Sequence, residues 1–302
     1  MAKYSKQRIA VIIAVSILVL ITATVLSLAS GFGKVIRQLS HADIVWLAFV
    51  IVAQSFAYWA YVIPYKLVFK LSFKDAKTYS FEGFQPFTRG GGFVYDMRLH
   101  KPQGAKARVF YLGIWEYMAL APAVLIAAIY AVADHSVATS LSLPWLIIVP
   151  LGTLLLIGVL FYRHSISRFP RASHLVDMML GMFKDQSWKQ MSGLILGMIC
   201  YWTGEIFALW GALQLFDISL SWQALLIAYA SGYSLTRRSL PLAGAGIVLV
   251  SLTLSLHWVG TALSVAILAA LAYQVSNLLV PLIYHHQAKL KLDQVKLLTA
   301  GR

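Results

Sequence analysis

The chain has one cysteine, Cys200, and few acids: 11 Asp and Glu against 25 Lys and Arg in 302 residues. A single cysteine excludes an intramolecular disulfide framework and a cysteine metal centre. Charged residues make up only 12% of the chain and hydrophobic ones 60%, so the polar surface that a soluble domain of this length requires is missing. The motifs of familiar catalysis are missing as well. There is no nucleophile elbow, Walker loop, dinucleotide glycine fingerprint, HExxH helix or metal-binding aspartate pair for sugar nucleotides. Gly90-Gly91-Gly92 is not a phosphate loop, because no Lys and Ser/Thr follow it. No catalytic residue, metal ligand or cofactor is assigned on these grounds, and the protein leans away from being an enzyme.

What the chain does have is a series of long apolar runs, which predict an all-α, polytopic membrane bundle forming a single integral membrane domain over residues 1–302. Spans are expected near Ile9–Leu28, Ile44–Ile63 (closed by Pro64), Val109–Val132, Leu143–Tyr162, Met191–Leu215 and Ala262–Tyr284, joined at Ser30–His41 by a short loop. With two interrupted segments, the total comes to about six to eight membrane segments. Gly193 and Gly197 offer a small-xxx-small face for close helix approach.

The net charge of +14 is spread over connecting segments, and this pattern favours the positive-inside rule over nucleic-acid binding. The stretch Tyr65–Arg108, the loop Arg163–Lys189 and the tail after His286 carry most of the basic residues, while Lys34 and Arg37 are exceptions. Both termini are therefore expected in the cytoplasm, with the protein in a plasma (bacterial inner) membrane.

Two stretches break the apolar pattern. Residues 79–94 read YSFEGFQPFTRGGGFV, and 229–249 read YASGYSLTRRSLPLAGAGIVL. Gly83-Phe84 followed by Thr88-Arg89 echoes Gly232-Tyr233 followed by Thr236-Arg237. We read them as paired, glycine-rich broken or re-entrant helix pairs, consistent with an inverted repeat, where backbone and charge face a substrate; for the first, whose apolar content is too thin for a full crossing, a surface loop is the alternative.

Glu116 and Glu205 are the acids expected inside spans, and an ionisable group at that depth is a functional candidate. A protonated carboxyl bonded to a neighbouring helix is the structural alternative for either. Arg89, Arg237 and Arg238 are natural partners for those acids or for a lipid phosphate, which guanidinium meets with parallel hydrogen bonds. Gly90, Gly91, Gly92, Gly244 and Gly246 would free backbone amides beside them. The simpler alternative is that these arginines mark cytoplasmic loop tips. Asp96 with Arg98, His285-His286 and His257-Trp258 fit solvated or interfacial roles better than a gate, a metal site or catalysis.

The segments Gly90–Tyr117 (GGGFVYDMRLHKPQGAKARVFYLGIWEY) and Thr236–Gly260 (TRRSLPLAGAGIVLVSLTLSLHWVG), followed by Tyr273, Asn277 and Pro281, resemble the transmembrane region of the lysylphosphatidylglycerol synthase/flippase family. In that family the proline- and glycine-rich turn, matched here by Pro241, Gly244 and Gly246, is commonly followed by a glutamate, whereas Leu249 stands at that place. The resemblance implies a flippase-like fold without lysine transfer, since the family's soluble aminoacyl-transferase domain is not in this sequence. The expected activity is binding and translocation of an anionic or phosphate-bearing lipid, a phospholipid or polyprenyl phosphate, between leaflets. The alternatives are a membrane-embedded transferase acting on a lipid-linked substrate, with Glu116 or Glu205 as base, and a non-catalytic partner of an envelope-lipid enzyme.

Overall fold

The structure, a computed structural model, describes residues 2–83, 105–135, 137, 139–161, 170–234 and 243–285. It is all-helical, with no strand among the described residues. The helices are α1 (Ala2–Ser30), α2 (Phe32–Ser40), α3 (Val45–Phe69), α4 (Phe73–Gly83), α5 (Ala105–Ala133), α6 (Thr139–Phe161), α7 (Pro170–Asp185), α8 (Trp188–Gln214), α9 (Trp222–Tyr229), α10 (Ala243–Trp258) and α11 (Leu263–His285). A π-helical turn, Ala230–Ser234, extends α9.

Five of these helices (α3, α5, α6, α8 and α11) are long and apolar enough to cross a membrane, and a sixth span results if α1 and α2 are counted together. The protein is thus a multi-pass helical membrane bundle. Leu154 and Leu155 on α6, Ile195 and Leu196 on α8 and Ile283 on α11 are among the large apolar side chains left on its outside, as expected where lipid is the solvent. α9 and α10 are too short to be counted with the spans.

Two sequence expectations are corrected. Pro64 does not close the second span: α3 continues through it to Phe69. A proline inside a membrane helix is tolerated when a neighbour fills the distorted turn, and Gly197 of α8 does so, since a Cβ there would lie 2.5 Å from Pro64 Cδ. The second concerns Ser30–His41, which is not a loop. Gly31, at φ 89°, turns the chain by 105° into α2, a helix with Val35 buried and Phe32, Ile36 and Leu39 exposed. Lys34 and Arg37 thus sit on an amphipathic helix of the kind that lies along a membrane surface. The basic loop before α8 likewise contains a helix, α7, which the sequence reading did not single out.

The core is built on the antiparallel pair α3 and α8. Gly197, Gly204 and Gly211 recur every seven residues along α8, so they fall on one stripe of a helix. Against that stripe lie Ala60 and Pro64, then Ala53 and Ala57, then Phe49 and Val50. The helix backbones approach closely enough for side chains beside the stripe to meet across the interface.

Candidate functional site

Close packing of α3 on α8 brings Gln54 against Glu205, the residue after Gly204. Gln54 Nε2 donates to Glu205 Oε1 at 2.9 Å, and the Tyr273 hydroxyl of α11 donates to Oε2. All three residues are buried, Gln54, Glu205 and Tyr273 each with no exposure. A carboxyl group taken out of water in this way is held only because both oxygens are engaged. Gln54 Oε1 has no hydrogen-bond partner among the described residues, so the site retains an acceptor beyond what its own packing uses.

The second acid is reached from the same two helices. Two turns along α3 from Gln54, the Tyr61 hydroxyl donates to Glu116 Oε1 of α5 at 2.6 Å. Trp202 of α8 holds the same turn of α5 by donating its indole N–H to the Glu116 carbonyl at 3.1 Å. Glu116 is half-buried. A third polar contact joins α3 to α11, where the Tyr58 hydroxyl lies 2.5 Å from Asn277 Oδ1.

Aromatic rings connect these contacts. Tyr61 meets Tyr201 at 5.1 Å between centroids, Tyr201 meets Trp202 at 4.9 Å, Trp202 meets Tyr229 at 6.0 Å, and Tyr229 meets Tyr273 at 6.4 Å. The ring at one end of this series bonds Glu116 and the ring at the other bonds Glu205. Tyr201, Tyr229 and Tyr273 are fully buried. Tyrosine suits such a position because its body packs like phenylalanine while its hydroxyl exchanges hydrogen bonds.

Tyr229 leads directly into the π turn, where a wider backbone ring leaves carbonyls to be satisfied from outside the helix. Ser251 of α10 supplies one donor, its Oγ reaching the Gly232 carbonyl at 2.6 Å. Trp145 of α6 donates to Ser231 Oγ at 2.9 Å. Gly232 has no room for a side chain, since a Cβ would sit 2.6 Å from Leu252 Cα. The end of α9 is therefore a distorted turn clamped between α6 and α10.

No family model and no curated protein matches this sequence.

Among the residues expected from sequence, Glu205 and Glu116 are brought into one network through α3 and α8. Gly244 is in the first turn of α10. Gly246 is buried against α1, where a Cβ would lie 3.1 Å from Thr22 Oγ1 and 3.4 Å from Leu18 Cγ; it allows two helices to pack. Leu249 is fully buried. Arg89, Gly90, Gly91, Gly92, Arg237 and Arg238, with Asp96, Arg98 and Pro241, lie outside the described residues. Tyr58 and Tyr61 belong to the aromatic run of the second span, which suits interface ends and tight helix contacts, but neither they nor Gln54, Tyr201 and Tyr229 were picked out as site residues from the sequence. One signal was available: Gln54 is a lone amide within the apolar run of α3, and polar side chains there commonly bond across helices.

Proposed function

We propose that this protein binds an anionic or phosphate-bearing lipid and carries its headgroup between the leaflets of a bacterial inner membrane, with both termini in the cytoplasm. The observation that supports this reading best is the network around Glu205 and Glu116, with its two carboxyl groups, amide and tyrosine hydroxyls in a bundle whose exterior is apolar. Intramembrane acids are costly and are characteristic of substrate and ion pathways. A headgroup that leaves water needs replacement partners along its route, and tyrosine, glutamine and carboxyl groups supply them.

In this reading the arginines at Arg89 and at Arg237-Arg238 receive the phosphate, and the π turn next to Tyr229 is a deformable part of the path. The acyl or prenyl chains remain in lipid. The sequence carries no ATP-binding motif, so the drive is an ion gradient, in which the carboxyl groups exchange the coupling ion, or the lipid gradient itself. The resemblance to the flippase-like family points the same way.

The test is leaflet exchange in liposomes containing the purified protein, with labelled phosphatidylglycerol, its aminoacylated form and a polyprenyl phosphate. Headgroup-selective exchange that Glu205→Gln and the Arg237→Ala/Arg238→Ala double variant both lose is the expected result. Folded wild-type protein that exchanges none of these lipids, with or without an ion gradient, would overturn the reading.

A further inference from the structure

At the end of the bundle where α3 finishes and α5 and α8 begin, a cavity of 480 Å³ opens between α3, α5, α7 and α8. Its volume is within the roughly 300–1,000 Å³ typical of small-molecule sites. Lys70 and Arg108 line it, together with Gln186, Gln190 and Asp185. The apolar part of the lining comes from Leu67, Val68, Met178 and Met182.

The polar side chains are arranged to donate. Arg108 Nη1 donates to the Phe69 carbonyl at 3.0 Å, tying the first turn of α5 to the last turn of α3. One N–H is spent on that carbonyl, and a guanidinium carries four more. Lys70 donates its backbone N–H to the Lys66 carbonyl, and its ammonium has no hydrogen-bond or ion-pair partner among the described residues. The residue occupies a left-handed position after α3, φ 54° and ψ 45°, where glycine or asparagine is the usual choice. Both glutamines have committed their oxygens. The Ser187 backbone N–H donates to Gln190 Oε1 at 3.0 Å, and because that donor cannot accept, the atom facing it must be oxygen. The Tyr111 hydroxyl donates to Gln186 Oε1 at 2.6 Å. Each amide therefore keeps its NH₂ group for a ligand.

From this geometry we infer that the cavity is a binding site for a phosphodiester attached to an apolar chain, a lipid headgroup held at the boundary of the membrane. The cations and amides meet phosphate oxygens with charge-assisted and neutral hydrogen bonds. The leucine, valine and methionine wall takes the adjoining apolar part, which free phosphate does not have. Two cations against the single acid Asp185 leave one positive charge among the lining residues, and this matches a phosphodiester. The site deepens the translocation reading by giving the lipid a docking position, and it makes use of none of the residues proposed to move the headgroup.

The test reads binding alone, using the full-length protein in neutral nanodiscs with phosphatidylglycerol, phosphatidylcholine or inorganic phosphate as probes. Lys70→Asn removes the charge while keeping a residue tolerant of the left-handed turn. Arg108→Gln is the second variant. Phosphatidylglycerol is expected to bind wild type in preference to phosphatidylcholine, and each variant to bind it about tenfold or more weakly, as the loss of a charge-assisted hydrogen bond implies. Rescue by Lys70→Arg supports the assignment. Wild-type affinity in a folded Lys70→Asn protein overturns it. Inorganic phosphate binding as tightly as phosphatidylglycerol overturns the lipid assignment in favour of a free-anion site. Leaflet exchange on the same preparations separates the two readings: wild-type protein that binds phosphatidylglycerol but exchanges no lipid overturns the translocation reading and not this site, whereas Lys70→Asn protein that both binds and exchanges normally overturns this site alone.

Discussion

Gly204 lies directly against Ala57: a Cβ built on the glycine would come within 2.8 Å of Ala57 Cβ, 2.9 Å of Ala57 Cα and 2.9 Å of the Ala53 carbonyl oxygen. Two of those three atoms are backbone, which cannot rotate away. The contact sets the distance between α3 and α8, and so the distance across which Gln54 reaches Glu205.

Gly204→Ala should therefore destabilise the protein by about 1–3 kcal/mol, the usual cost of overpacking a tight interface. Gly113→Ala on α5, where a Cβ meets nothing within 4 Å, is the control and should be neutral or slightly stabilising. Reversible unfolding in mixed micelles would compare the two, and equal stabilities would show that the α3–α8 seam relaxes freely.

Glu205→Leu should be worse than Glu205→Gln. Leucine leaves the Gln54 amide and the Tyr273 hydroxyl without their acceptor, at a cost of about 1–3 kcal/mol in all. Glutamine keeps an acceptor oxygen, so its fold should remain close to wild type while lipid exchange falls. Unfolding and exchange measured on the same preparations would separate the structural part of Glu205 from the functional part.

Ser251→Ala removes the hydroxyl that bonds the Gly232 carbonyl. A loss of about 1 kcal/mol is expected, and with it faster amide hydrogen exchange in the π turn Ala230–Ser234 than in α9 before it. Unchanged protection of that turn would mean that its geometry is held without this bond, by contacts such as the Leu252 packing and the Trp145–Ser231 hydrogen bond.

Gly31→Ala places a side chain at φ 89°, where an L-residue is strained by about 1–2 kcal/mol. The 105° bend between α1 and α2 should open. Distances between spin labels at Ser16 and Ser40, in a Cys200→Ser background, should lengthen and broaden. A distribution identical to wild type would indicate that the membrane surface, and not the glycine, holds α2 in place.

The sequence by itself was enough to establish a helical membrane protein, because apolar runs of spanning length are a composition signal that survives without tertiary information. It also selected Glu205 and Glu116, since an acid within such a run is conspicuous in one dimension. It carried the spacing of Gly197, Gly204 and Gly211, although only the tertiary structure showed which atoms those glycines meet. The tertiary structure likewise decided that Pro64 sits inside α3, for a proline's tolerance depends on the neighbouring helix, and here that neighbour is Gly197. Partners such as Gln54, Tyr61 and Tyr273 belong to helices distant in sequence, and their meeting with the acids depends on helix rotation and separation. Those two quantities are set by packing, which no single segment contains.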